Sequence, residues 1–239
     1  MTLIDHLAEL RTRLFVAIAA WIVASGVAFY FRFNVLSWLQ EPLPRGMALN
    51  AFGLLEPFLV SVQIATFFGL VLASPVIFGQ IWGFIAPALY PEERRWAVPF
   101  ILMTACAFAA GVIFSRYAIL PFSIPIILGF LGEEASVLLS IGDYISKIIM
   151  VMAVFGIIFE MPVVGFLLAR LGLIRARPLA QFRRYAIVIC MIAAAFISPT
   201  GDPINFGLVA VPLIILYEIT IVVVRLSQRR VPVSEPVSP

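Results

Sequence analysis

The sequence predicts an all-α integral membrane protein with six transmembrane helices and both termini cytoplasmic. Composition, the spacing of apolar runs and the placement of cations predict it. Of 239 residues, 63% are hydrophobic and 12% charged, with a mean hydropathy of +1.09. A soluble domain carries about 25% charged residues, so this chain belongs in a bilayer.

At about 20 residues per crossing and about 1.5 Å rise per residue, the apolar runs give six spans. They are Leu14–Phe31, Phe58–Gly79, Ala97–Leu120, Ile148–Ala169, Tyr185–Ile197 and Phe206–Val224. The fifth lies between Arg184 and Ser198 and makes a helix of only about 20 Å, against a hydrocarbon core of about 30 Å. It is either part of a re-entrant hairpin or sits in a locally thinned bilayer. The first span lacks a small-residue cleavage site and follows an acidic amphipathic segment, so it is retained rather than cleaved as a signal peptide.

Cations set the orientation. Arg11, Arg13, Arg94, Arg95, Arg170, Arg175, Arg177, Arg183, Arg184, Arg225, Arg229 and Arg230 fall on one side, leaving Arg32, Arg45, Arg116 and Lys147 on the other. The richer side is cytoplasmic. The net charge of +3 reflects this asymmetry and implies no nucleic-acid partner.

Along the chain, TLIDHLAELRTRL spaces Leu3, Leu7, Leu10 and Leu14 on one helical face. The spacing predicts an interfacial helix on the cytoplasmic leaflet, with Glu9 and Arg13 as an i,i+4 pair and His6 on its polar edge. The connection from Arg32 to Pro57 contains EPLPRG, which predicts a turn or irregular cap rather than a strand. In QIWGFIAPALYPEERRW, Pro91 fits a first helical position, with Glu92 and Glu93 in the first turn where the helix dipole favours anions. A sharper reading pairs Glu93 with Glu9. Both lie on the cytoplasmic side, where two carboxylates suit a cationic peptide, arginine best because its fork is bidentate. The connection from Pro121 to Ser146 holds IPIILGFLG, too short to span and expected as an interfacial helix.

Glu160 lies ten residues before Arg170, about 15 Å along a helix. An unpaired acid at that depth costs about 2.5–3.5 kcal/mol on insertion scales, so it should face protein or water. Pro162 should kink this helix. Glu218 is near enough to Arg225 to pair or snorkel at the cytoplasmic surface. In SPTGDP, Pro199 and Gly201 serve a turn and Asp202 is placed to cap the next helix. Residues 1–230 form one membrane domain; the polar, proline-punctuated VPVSEPVSP of 231–239 is a disordered cytoplasmic tail.

Cys106 and Cys190 sit in different spans as packing residues. The single histidine lies in the N-terminal segment, no intramembrane Asp pair exists and no ligand cluster is present, so hydrolase, metal and cofactor chemistry have no carrier. No internal repeat relates spans one to three with four to six, which weakens an inverted-repeat transporter. Two readings survive: a binding and translocation protein, or a proton-coupled secondary transporter with Glu160 as protonation site.

Four motifs decide between them. HLAELRTRL (His6 to Leu14), SPVIFGQIWGFIAPALYPEERR (Ser74 to Arg95), FGIIFEMPV (Phe155 to Val163) and SPTGDPINFGLVAVPLIILYEI (Ser198 to Ile219) occur in this order between the expected spans. Together they resemble the TatC family, the multispanning subunit of the twin-arginine protein translocase. The resemblance implies a concave, glove-like arrangement of six helices with short helices five and six. It implies a bacterial cytoplasmic-membrane receptor, not an enzyme, that binds twin-arginine signal peptides of folded cargo. It also implies assembly in membrane lipid with further copies and with single-span TatA- and TatB-type subunits, driven by the proton motive force. By the same resemblance, Glu9 and Glu93 match the signal-binding acids, and Phe84, Pro87, Leu89 and Tyr90 shape that site. Arg11 holds the N-terminal segment. Glu160 faces the concave side towards partner helices or an inserted signal, and Asp202 matches an acid between helices five and six. Many relatives read Thr-Pro-Pro-Asp where this chain has Ser198-Pro199-Thr200-Gly201-Asp202, one residue longer.

Overall fold

A computed structural model describes residues 3–44, 46–85, 97–129, 138–198 and 202–227 of the chain. Pro87, Leu89, Tyr90 and Glu93, the turn residues 199–201 and the tail 231–239 lie outside the described residues. Among the described residues five helices are long and apolar enough to cross a membrane, and the short fifth span expected at Tyr185–Ile197 is the 15-residue helix Arg183–Ile197.

Helix α1 runs unbroken over Leu3–Tyr30, 28 residues. The N-terminal amphipathic segment is therefore not a separate helix lying on the leaflet. No proline interrupts residues 3–30, and the resulting length of about 42 Å carries the first turns beyond an apolar core of about 30 Å. Its main neighbour is α3 (Glu56–Ile85). The two approach so closely at Gly69 that an added Cβ would lie 2.5 Å from Ser25 Cα, a small-residue contact of the kind that brings membrane helices together. Trp21 Nε1 donates to the Thr66 carbonyl across the same seam at 2.9 Å.

Between them in the chain lies α2 (Arg32–Gln40), within the connection expected from Arg32 to Pro57. Its C-terminal carbonyls are closed from afar. Arg116 donates to the Trp38 carbonyl through Nε at 3.2 Å and Nη2 at 2.5 Å. The Tyr144 hydroxyl donates to the Leu39 carbonyl at 2.9 Å, and Leu39 itself is fully buried. A helix end capped by residues so distant in the chain has no local signature.

After α2 comes a two-residue strand, β1 (Leu49–Asn50), pairing in parallel with β2 (Leu139–Ser140) in the register Leu49↔Leu139 and Asn50↔Ser140. EPLPRG forms a turn, as expected, but a strand follows it. Glu56, the first residue of α3, fastens the same two connections. Its Oε2 accepts from Phe52 N at 2.7 Å and Gly53 N at 3.1 Å, while Oε1 accepts from Gly142 N at 2.8 Å and from the Ser140 hydroxyl.

The third crossing is longer than expected. Helix α4 (Ala97–Phe114) passes through a π turn, Ser115–Ile119, into α5 (Leu120–Gly129). The segment from Ile124 is thus not a separate interfacial helix up to Gly129. Pro121 has no N–H and would clash with the carbonyl four residues back in an α ladder. The wider i→i+5 turn just before it absorbs the misfit and lets the helix continue.

The fourth crossing starts at Ile141, seven residues before the expected Ile148, because Ser140 caps it by accepting from Asp143 N at 3.2 Å. Helix α6 (Ile141–Phe159) then breaks at Glu160, and α7 (Met161–Arg170) resumes with Pro162 in its first turn. The kink falls where the proline removes the donor to Ile158. Ile145, Met152 and Phe155 are completely buried, so α6 is the centre of the core. At Gly111 of α4 an added Cβ would meet the Phe155 carbonyl and come within 2.8 Å of Gly156 Cα.

A short helix α8 (Ala176–Gln181) precedes α9 (Arg183–Ile197), and α10 (Pro203–Ser227) closes the fold. Helix α10 runs 25 residues without a break, longer than the short sixth helix expected from the sequence, and Val224 near its end packs with Ala169 and Ala176.

Replacing Gly69 with alanine should destabilise the protein by about 1–3 kcal/mol, the usual cost of overpacking. Gly26→Ala, with nothing within 4 Å of the new Cβ, should leave stability unchanged or slightly raised; thermal unfolding in detergent compares them. Glu56→Ala should speed hydrogen exchange at residues 49–53 and 139–142 while leaving exchange in the middle of α6 unchanged.

Candidate functional site

The arginine-rich end of α1 lies against the end of α3. His6 stacks on Phe84 with ring centroids 4.3 Å apart and planes at 22°. One turn further along α1, Glu9 pairs with Arg13, whose Nη2 and Nε reach the same carboxylate oxygen, Oε1, at 2.6 Å and 3.0 Å. The Arg13 guanidinium in turn fills the space over Gly83: a Cβ there would lie 2.7 Å from its Cζ. Gly83 and Phe84 belong to the last turn of α3, which ends at Ile85.

The expected i,i+4 pair is present. Its seat on Gly83 and the His6–Phe84 stack were not anticipated. Helical spacing announces Glu9–Arg13, but nothing local to QIWGF says that its glycine faces an arginine near the N-terminus. Arg11 is exposed and lies on the side of α1 away from Glu9 and Arg13, since residues two apart on a helix project about 200° apart.

Glu160 occupies the break between α6 and α7. Its carboxylate approaches the α4 backbone at Phe108, yet both oxygens are buried without a well-formed hydrogen bond. Above it, towards the arginine-rich end, Trp82, Phe100 and Val163 form an apolar cluster in which the Trp82 and Phe100 rings lie 4.6 Å apart, tilted by 37°.

Asp202 is 9% exposed and caps α10. Its Oδ2 accepts from Asn205 N at 2.9 Å and its Oδ1 from Asn205 Nδ2 at 2.8 Å. The capping role read from SPTGDP holds despite the extra residue in that turn. Glu218 pairs with Arg183 at 2.9 Å rather than with Arg225, and Tyr217 donates to the Leu179 carbonyl at 2.9 Å; together these fix α9 and α8 against α10. The outer face of α9 is apolar and open, with Ile189 and Phe196 largely exposed. Cys106 and Cys190 are both free thiols.

Comparison with known proteins gives one answer. The family described as Sec-independent protein translocase protein (TatC) matches residues 5–212. A TatC of Deinococcus radiodurans is 40% identical over 230 residues, covering 93% of this chain and 85% of the relative. A TatC of Aquifex aeolicus is 39% identical over 235 residues, covering 96% and 97%. Bacillus subtilis TatCy is 35% identical over 233 residues, covering 96% and 91%. A crystal structure described as the twin-arginine translocase receptor TatC superposes with a TM-score of 0.81 at 38% identity, covering 94% of this chain and all of that one.

Glu160→Leu should be at least as stable as the parent, and more stable by about 1–3 kcal/mol if the fold alone is measured, since it removes a buried acid lacking partners. Thermal unfolding of the purified protein checks this; a marked loss of stability would mean that the acid is satisfied within the chain.

Proposed function

The chain belongs to the Sec-independent protein translocase TatC family, and from that premise we propose how it serves the twin-arginine system of which it is a component. It is a multi-pass membrane protein with the six-helix, glove-like fold of that family. In our reading it is the receptor core, not an enzyme: one membrane domain over residues 1–230, set in the bacterial cytoplasmic membrane with both termini cytoplasmic. There it receives the paired arginines of signal peptides on folded cargo and passes them on with single-span TatA- and TatB-type subunits, using the proton motive force.

The observation that carries this reading is the placement of Glu9. Its carboxylate sits at the arginine-rich end, paired through one oxygen with Arg13, whose guanidinium lies over Gly83 in the last turn of α3. The segment bearing Glu93 departs from that same turn. Two carboxylates on this side suit two guanidinium groups, each able to form a planar pair of hydrogen bonds. Phe84, with Pro87, Leu89 and Tyr90 beyond it, would shape the apolar margin, and Arg11 would support the N-terminal segment from its outer side.

Glu160 and Asp202 are the proposed intramembrane and turn contacts for partner subunits. The buried, unsatisfied state of Glu160 supports this role, because a polar group on an entering helix gains a partner that the receptor alone withholds. Asp202 is already engaged with Asn205, so its share would be to hold the turn in shape. A proton-coupled transporter built on Glu160 gains no support from the fold or the relatives.

Replacing Glu9 and Glu93 together with alanine should weaken binding of a twin-arginine peptide by about tenfold or more, the worth of a charge-assisted hydrogen bond of about 1.5–3 kcal/mol. Site-specific crosslinking to such a peptide in native membranes measures it. Unchanged crosslinking with normal insertion of the variant would reject the reading.

A further inference from the structure

We propose that Arg13 is a built-in competitor for the incoming signal arginine: it occupies the Glu9 carboxylate in the empty receptor and is displaced when a guanidinium arrives. This rests on Glu9 being part of the signal site. Three features of the same cluster point to it.

Arg13 is the same chemical group as the proposed ligand, and it already grips the acid proposed to receive that ligand. Its guanidinium has a seat, since Gly83 leaves open the volume that any side chain would fill. Its grip is also incomplete. Both Arg13 nitrogens reach Oε1, because an arginine one turn away on the same helix approaches the carboxylate from the side. An arginine entering from outside is free to align its fork with both oxygens, the stronger geometry. The pair is moreover only partly buried, with side-chain exposures of 28% for Arg13 and 23% for Glu9, so it opens readily.

The thermodynamic consequence is specific. A closed Glu9–Arg13 pair lowers the fraction of receptor able to bind, and the apparent dissociation constant rises by that fraction whatever the ligand. Removing the competitor should therefore tighten every ligand of Glu9 by the same factor and leave the discrimination between ligands untouched.

The test uses the purified full-length chain in detergent micelles and a fluorescent peptide bearing paired arginines, beside its paired-lysine counterpart. Arg13→Gln should bind both peptides about two- to fourfold tighter, the range of a partly exposed i,i+4 ion pair, with their ratio of affinities unchanged. Arg13→Lys keeps the charge but gives up the second hydrogen bond, and should fall between the parent and Arg13→Gln. Tightening in Arg13→Gln alone, with Arg13→Lys equal to the parent, would mean simple charge repulsion and would overturn the proposal. Weaker binding in either variant would make Arg13 a support for Glu9 and overturn it equally. Glu9→Gln separates the two levels. If that variant binds the peptide as the parent does, the signal-site reading itself falls; if it binds weakly while Arg13→Lys fails to tighten, only the competitor falls.

Discussion

Arg116 joins two parts of the chain 78 residues apart, closing the end of α2 with two hydrogen bonds to Trp38 and meeting Glu41 at 2.7 Å. It illustrates the constraint on which this architecture depends. In and near a bilayer, backbone groups released at a helix end find little water, so the protein must supply their partners. Tyr144 does this for Leu39, Tyr217 for Leu179, Asp202 for the first turn of α10, and Glu56 for the two connections at the arginine-poor end. Except for Asp202, whose bonds stay within the first turn of α10, each closure also ties separate elements together. The polar residues of the interior are in this sense the connectors of the helix bundle.

Glu160 stands apart from that pattern. Glu9, Glu41, Glu56, Asp202 and Glu218 are each engaged by an N–H, a hydroxyl or a guanidinium, while both Glu160 oxygens are buried without a good hydrogen bond. The proline that follows breaks the helix at this level, so the carboxylate lies where the backbone ladder is already interrupted. A buried polar group left incomplete costs stability in the isolated chain, and its cost is recovered when a partner completes it.

The arginine-rich end is built on the opposite principle. Glu9 is satisfied, but by a neighbour on the same helix with imperfect geometry, and the close approach of α1 to α3 through Ser25 and Gly69 holds that neighbour over Gly83. The bundle here is tightly packed, while the ion pair at its edge is partly exposed.

Much of this was legible in the sequence, because burial in lipid imposes rules that act along the chain. The apolar runs, the cation asymmetry, the short fifth span, the Pro162 kink and the Asp202 cap all follow from hydrophobic length or from residues within one helical turn of each other. The four ordered motifs named the family before any coordinates. What escaped were features made by distant residues: α2 closed by Arg116 and Tyr144, the parallel β1–β2 pairing, the Glu56 clasp and the seat of Arg13 on Gly83. The extension of the third helix to Gly129 was missed for a related reason, since the π turn that precedes Pro121 has no signature in the sequence. The sequence by itself determined how many times the chain crosses the membrane and which side carries the cations, because transfer energy and helix period are properties of contiguous residues. Only the tertiary structure decided which carbonyl, glycine or carboxylate each side chain reaches, because those partners are assembled when separate crossings pack together.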